Sequence, residues 1–320
     1  MALRTKLTDL LGIRHPIIQA PMGGTAGGVL AAAVSAAGGL GMIGAGQGRV
    51  DWLEPQLAAA GNQRVGCGFI TWGLTHRPEA LDLVLAHSPS AIMLSFGNAA
   101  PFIPRIKESG TPVICQVQTV AMAREVLQLG TDIIVAQGAE AGGHGLQRAT
   151  LPLVPAVVDA VKEAGKDVPV VAAGGIADGR GLAAMLMLGA SGVLIGTLFH
   201  SAEESLASAE TKARIVRSSG DETVRTRVFD IGREAPWPGG FTGRGLTNRF
   251  VETWHGREEI LTADAAEKAR YQRALTADDL DTAVVWAGEG IDLIHEVEPA
   301  GLIVTRLVAE AEEALAQRFA

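Results

Sequence analysis

Between Asp167 and His200 the chain reads DVPVVAAGGIADGRGLAAMLMLGASGVLIGTLFH, and no other stretch restricts its fold so tightly. Val168–Ala173 is a short apolar, β-branched run, the signature of a strand buried on both faces. Gly174-Gly175 end it. Arg180–Leu188 predicts a helix, with Gly189 as its natural stop. Gly192–Ile195 predicts a second buried strand, ended by Gly196-Thr197. Two successive parallel strands therefore both end in residues without bulk, where bare backbone N–H groups can face one anion.

The same unit recurs upstream. Apolar runs at Pro16–Ala20, Leu40–Ala45, Val65–Thr71, Ala91–Phe96, Pro112–Val117 and Asp132–Ala136 predict six earlier strands, recurring roughly every 20 to 26 residues. Between them lie helical stretches: Gly28–Ala37, Asp51–Ala60, one after Pro78, one after Pro101, and Thr119–Leu129. Alternating β and α with continuously apolar strands means a parallel sheet. Eight such units close into an α/β (β/α)8 TIM barrel more naturally than they form an open sheet, and the loops after its last two strands are the usual phosphate site. The interval between strands six and seven is the long one. It carries Gln137-Gly-Ala-Glu-Ala-Gly-Gly-His-Gly145, and an outgrown loop at the active end of a barrel usually carries function.

After His200 the periodicity changes. Helices are expected at Ser205–Arg217, Asp264–Ala274, Asp278–Ala287 and Pro299–Arg318, with a turn at Gly288–Ile291. Pro299–Arg318 suits the barrel's eighth helix. The expected organisation is a barrel of residues 1–204 plus 291–320, with 205–290 a mostly helical insertion after strand eight that covers the active-site face.

Composition narrows the function classes. A net charge of −8 in 320 residues argues against non-specific nucleic-acid binding. Cys67 and Cys115 sit inside apolar runs with no ligand spacing, so no metal site is expected, and two reduced core thiols suit the cytoplasm. No charge lies between Arg14 and Arg49, but Gln19, Pro21 and many glycines break that span into strand, helix and strand rather than a membrane helix. The N-terminal residues lack the apolar core and cleavage site of a signal peptide.

Gly39-Leu-Gly-Met-Ile-Gly44 matches a dinucleotide fingerprint literally, but it follows a helix and lies in a strand, so it is a helix stop and a strand rather than a nucleotide loop. Gly174, Gly175, Gly196 and Thr197 form the phosphate candidate, with the Thr197 hydroxyl as an added donor. His144, flanked by glycines in a loop, has a near-neutral pKa suited to proton transfer and is the catalytic candidate. Gln116, Gln137 and Thr71 lie at strand ends facing the barrel mouth, placed to hydrogen-bond a heterocycle. Glu140 is expected to be a loop carboxylate rather than an acid or base.

At these residues the chain resembles the nitronate monooxygenase (2-nitropropane dioxygenase) family of FMN-dependent barrels. The resemblance rests on HPIIQAPMGG at the first strand, AQGAEAGGHG at the sixth, VPVVAAGGIADGRG at the seventh and GVLIGTLF at the eighth. It implies FMN at the C-terminal face, with Pro21, Met22 and Gly23 lining the flavin through backbone contacts. Gln116, Gln137, Gly142 and Gly143 would surround the ring and ribityl chain, and Gly174, Gly175, Gly196 and Thr197 would hold the phosphate. His144 would be the general base. Many relatives carry asparagine where this chain has Thr71.

The implied reaction is oxidation of alkyl nitronates by O2 to carbonyl compounds and nitrite. Nitroalkanes would enter once His144 has taken the α-proton. The loop and the GGIADG motif also resemble flavin-dependent enoyl-acyl-carrier-protein reductases, and related barrels are NADH:quinone reductases. Both rivals require NADH or NADPH, which a nitronate oxidase does not. A flavin-binding barrel without chemistry is the remote third alternative. The Ala-rich helices leave open packing against the barrel or against a second copy in a homodimer. Pocket size rests on the insertion around Trp237, Phe241 and Trp254.

Overall fold

The computed structural model describes residues 3–317. Its main sheet is built from β1 (Ile17–Gln19), β2 (Met42–Gly46), β3 (Gly66–Ile70), β4 (Ile92–Ser95), β5 (Val113–Val117) and β6 (Ile133–Gln137). After the three-residue strand β7 (Gly143–Gly145), which lies outside that sheet, come β8 (Val170–Ala173) and β9 (Gly192–Ile195). The order is β1-β9-β8-β6-β5-β4-β3-β2, with every pair parallel. A bridge from Ile18 to Leu40, just ahead of β2, brings the two edges together. The eight strands thus form a nearly closed barrel, as the βα periodicity requires.

Alternation along the strands divides the core in two. Ile18, Met93, Ile133, Val135 and Val171 fill the barrel interior. Their neighbours Ile17, Ile92, Ile134 and Ala172 pack outward against the helices. The interior is stoppered at its N-terminal end by a helix at Lys6–Leu11, whose Leu7 and Leu11 join the interior cluster. Thr5 fixes that helix by capping it and by donating its hydroxyl to the Ser191 carbonyl, ahead of β9. With the bottom filled, the C-terminal strand ends are left to form a cavity. Cys67 and Cys115 are buried in the outer core, where burial pushes their thiol pKa values up to about 12 and about 11, so neither is a thiolate at neutral pH.

The glycines of the 39–44 motif are packing positions. A Cβ on Gly41 would stand 1.8 Å from the Ala31 carbonyl oxygen, and one on Gly44 2.3 Å from that of Met22. Gly38 ends the preceding helix in the left-handed conformation. Among the described residues no helix is long and apolar enough to cross a membrane.

Three expectations after His200 are corrected. The Ser205–Arg217 helix starts at Ala209, because the Ser208 side chain caps it by accepting from the Thr211 N–H. Residues Asp278–Ala287 are not helical. Asp278 ends the preceding helix, Ala265–Ala277, at φ 53°, and the β-branched run that follows is drawn alongside a strand: Leu246 donates its N–H to Val285. Of the expected turn at Gly288–Ile291, Gly288 is the extended cap of a 3-10 helix, Glu289–Leu293, that takes in the rest. The last helix, Ala300–Ala316, begins at its Pro299 cap and packs on the helices Gly179–Met187 and Gly28–Ala37, as the barrel's eighth helix must. Arg318, its expected last residue, lies outside the described residues.

Between β9 and that helix are short helices and a hairpin of β10 (Thr223–Thr226) and β11 (Thr242–Leu246). They surround a small core of their own, including Phe229, Phe250, Trp254 and Tyr271. The hairpin extends back to the barrel: β7 pairs antiparallel with β11, placing His144 opposite Gly243.

Candidate active site

A cavity of about 280 Å³ opens where the barrel strands end. Its floor and rim are glycine-rich because the chain turns sharply after each strand. Gly174 (φ 112°) and Gly175 (φ 71°) follow β8 in a conformation that disfavours any side chain. A Cβ on Gly174 would also stand 2.7 Å from Thr150 Oγ1. Gly196 and Thr197 follow β9 and line the same wall. Among the described residues no hydrogen bond engages the amides of Gly175, Ile176 or Gly196. Thr197 Oγ1 accepts from the Gly288 N–H at 3.0 Å, which leaves its own proton free to donate. Free donors without bulk, gathered from two neighbouring strand ends, suit a phosphate. Pro21, Met22 and Gly23, after β1, line the cavity beside Gly196, where an added Cβ would lie 3.8 Å from Met22 Sδ. Gly142 and Gly143 line it too, and a Cβ on Gly142 would collide at 2.7 Å with the Ala287–Gly288 backbone.

The amides at the ends of β5 and β6 are ordered by one another. Gln116 Nε2 and Gln118 Nε2 both donate to Gln137 Oε1 at 2.9 Å. With its oxygen held by two donors, Gln137 presents its NH2 group as a donor at the cavity wall, which Gln116 also lines. Gln118, which sets that orientation, was not singled out by sequence. Thr71 is corrected. β3 stops at Ile70, Thr71 begins a short helix, and its Cβ lies against Gly97, so Ile70 and not Thr71 lines the cavity. Glu140 is the loop carboxylate expected: it accepts from the N–H (2.9 Å) and hydroxyl (2.8 Å) of Thr150, holding the start of the Thr150–Glu163 helix.

His144 is 8% exposed at the cavity wall. Its Nε2 lies 2.9 and 3.0 Å from the two carboxylate oxygens of Asp230. A carboxylate only accepts, so Nε2 carries the proton and Nδ1 is the basic nitrogen. No hydrogen bond among the described residues engages Nδ1. Burial pulls the imidazole pKa below its usual 6.5, against the opposing pull of Asp230, so the neutral form dominates at pH 7. Arg233 donates to the same carboxylate at 2.6 Å and lies over the Trp286 ring at 5.1 Å. It is the one formally charged side chain among the described cavity-lining residues, which include no carboxylate.

Aromatic rings enclose the imidazole. Trp237 stacks on it with centroids 3.4 Å apart and planes 8° from parallel, and Trp286 and Phe96 lie at 5.1 and 6.4 Å. Phe96 takes φ 61°, a conformation that costs about 1–3 kcal/mol for a bulky residue and tends to mark function. Beneath His144, Arg225 and Arg244 face each other across the hairpin and donate to the carbonyls of Ala139 and Ala141, tying the β6 loop to the hairpin. Burial lowers the Arg225 pKa to about 10, still charged at pH 7. Asp230, Arg233 and Arg225 lie more than 80 residues from His144, and no local motif flags them.

A sequence profile described as nitronate monooxygenase matches residues 4–63 and 73–310. The nitronate monooxygenase of Neurospora crassa is 33% identical over 341 residues, covering 93% of this chain and 89% of that protein. A (3aS,4S,5R,7aS)-5-hydroxy-7a-methyl-1-oxo-octahydro-1H-indene-4-carboxyl-CoA dehydrogenase of Mycobacterium tuberculosis is 38% identical over 236 residues; the match takes in 72% of this chain but 65%, less than two thirds, of that protein. Among solved structures, FabK from Thermotoga maritima superposes with a TM-score of 0.84 at 32% identity, covering 98% of this chain and 97% of that one. A nitroalkane oxidase from Streptomyces ansochromogenes superposes at 0.79 with 30% identity, covering 96% and 98%.

Proposed function

The chain belongs to the nitronate monooxygenase family, and from that premise we propose that it is an FMN-dependent oxidoreductase that uses O2 to convert alkyl nitronates, and nitroalkanes after loss of the α-proton, to carbonyl compounds and nitrite. The observation that carries this reading is the His144–Asp230 pair in the wall of a cavity whose lining includes Arg233 and no carboxylate. Such a wall favours a small anion and offers it a base.

The residues present fit the cofactor. The glycine rim leaves room and unpaired amides for a phosphate, and the Gln137 amide is pre-oriented toward a heterocycle. FMN bound there would supply the electron-accepting and oxygen-activating chemistry that no side chain provides. Gly174, Gly175, Gly196 and Thr197 would hold its phosphate; Pro21, Met22, Gly23, Gln116, Gln137, Gly142 and Gly143 would border the rest.

The protein's own part is electrostatic and acid–base. Arg233 offers positive charge to a nitronate, tempered by its contact with Asp230. For a neutral nitroalkane, His144 Nδ1 accepts the α-proton, and the imidazolium formed keeps its Nε2–H on Asp230, which offsets the new charge. The aromatic rings exclude water, so these charges act in a low dielectric. A preformed nitronate bypasses the base. Residues 205–290 serve as a cap on a barrel of 1–204 plus 291–320, and the two buried thiols fit a reducing, cytoplasmic setting.

The test is oxygen uptake with ethyl nitronate and no nicotinamide: stoichiometric nitrite supports the reading, and its absence overturns it. A second reading, an FMN-dependent NAD(P)H reductase of enoyl thioesters or quinones, draws support from the likeness to FabK over nearly the whole chain. It predicts oxygen uptake only when NADH or NADPH is added.

A further inference from the structure

A second cavity, of about 320 Å³, lies within the cap. It shares Ala235 and Trp237 with the barrel-mouth cavity, and no other lining residue. Trp237 therefore stands between the two spaces. Its indole stacks on His144 and is braced edge-on by Trp72 (5.7 Å) and Phe96 (5.2 Å). The backbone that carries it is lightly tethered: Ala235 donates its N–H to the Asp230 carbonyl and Trp237 to that of Ala235, while Pro236 and Pro238 have no N–H to give.

The cap cavity is lined by apolar groups, Ile231 and Phe241 among them, together with Thr262 and four charged residues. Its charges are largely spoken for. Lys268 pairs with Glu234 at 3.3 Å, and Asp230 is held by His144 and Arg233, leaving the exposed Arg227. The surface that remains suits hydrocarbon rather than an ion.

We propose that Trp237 is a partition that sets the length of substrate the barrel mouth accepts, and that the cap cavity is a second chamber for the distal alkyl chain of longer nitronates. This rests on the reading of the barrel mouth as a nitronate site. The reacting carbon stays beside His144, and the chain beyond it passes the indole. Replacing the indole with a small side chain joins the two spaces and extends the apolar surface a chain can bury.

The test compares the flavin-loaded wild type with Trp237→Ala in two series. One is turnover of primary alkyl nitronates from ethyl to octyl. The other is calorimetric binding of straight-chain carboxylates from acetate to octanoate, planar monoanions that cannot react. Wild-type affinity should stop rising at short chains, whereas in Trp237→Ala it should keep rising about threefold to fourfold per added methylene. Trp237→Leu should fall between, and supplies the comparison if the alanine variant does not fold. Adding Ile231→Trp, which fills the cap cavity, should cancel the gain. Identical chain-length profiles in wild type and both Trp237 variants, or no effect of Ile231→Trp, would overturn the proposal. Should the carboxylate profile shift while no nitronate is turned over, the partition stands and the nitronate reading falls. Turnover with unshifted profiles means the reverse.

Discussion

The two walls of the barrel mouth are made by opposite means. The rim at Gly174, Gly175 and Gly196 is backbone, drawn from one contiguous βαβ unit, and it works because side chains are missing, with the Thr197 hydroxyl as an added donor. The wall around His144 is side chain, assembled from β7 and from cap residues including Asp230, Arg233, Trp237 and Trp286, and it works because each group holds another. A wall of the first kind fails when an atom is added; one of the second fails when a partner is removed. The first should govern cofactor retention, and the second proton transfer.

The sharpest break of that contrast is His144→Asn. It should lower kcat/KM for nitroethane by about 10²–10⁴-fold, the usual worth of a general base, yet change ethyl nitronate turnover only a few-fold. Equal losses on both substrates would show that His144 does something other than take the proton. Asp230→Asn should follow the same pattern more mildly, because the amide no longer enforces the Nε2–H tautomer; a loss confined to flavin content would contradict that role.

On the other wall, Gly174→Ala adds one atom 2.7 Å from Thr150 Oγ1 at φ 112°. Strain of about 1–3 kcal/mol is roughly a tenfold to hundredfold loss of flavin affinity. Absorbance after dialysis measures it. Gly110→Ala, at φ 75° with nothing within 4 Å, should leave the flavin in place.

A fourth prediction separates folding from both walls. His200 is buried with Nδ1 donating to the Trp286 carbonyl at 3.0 Å, and burial lowers its pKa to about 4. The unfolded chain takes that proton near 6.5 and the folded one resists it. Stability is therefore full above pH 6.5 and declines as pH falls toward 4, by up to ~3 kcal/mol. Denaturant midpoints should show this slope, and His200→Gln should flatten it. The smallest effect expected is that of Gln118→Leu. It removes one of two donors on Gln137 Oε1 and should weaken flavin binding by roughly tenfold or less, about 1 kcal/mol; no change would mean that Gln116 alone orients the amide.

How much of this was legible in the sequence follows from the same contrast. Strands with continuous apolar runs, glycine stops and the βα period are local signals, so the barrel and its glycine rim were readable from residues near one another. His144 was readable because glycines isolate it. Asp230 was not: it sits in a five-residue helix, Val228–Gly232, and reaches His144 only through the pairing of β7 with β11. The run at Asp278–Ala287 looks helical because its composition permits a helix; Gly245 and Leu246 of β11, past the end of β7, claim it instead. Thr71 is placed differently for a smaller reason, a strand ending one residue earlier than its apolar run suggests.

The central claim is most directly tested by mixing the flavin-loaded protein anaerobically with ethyl nitronate and following the flavin absorbance band. Rapid loss of that band without any nicotinamide is the result predicted here. A band unchanged by the nitronate that then bleaches with NADH or NADPH would contradict it and make the protein a nicotinamide-dependent reductase.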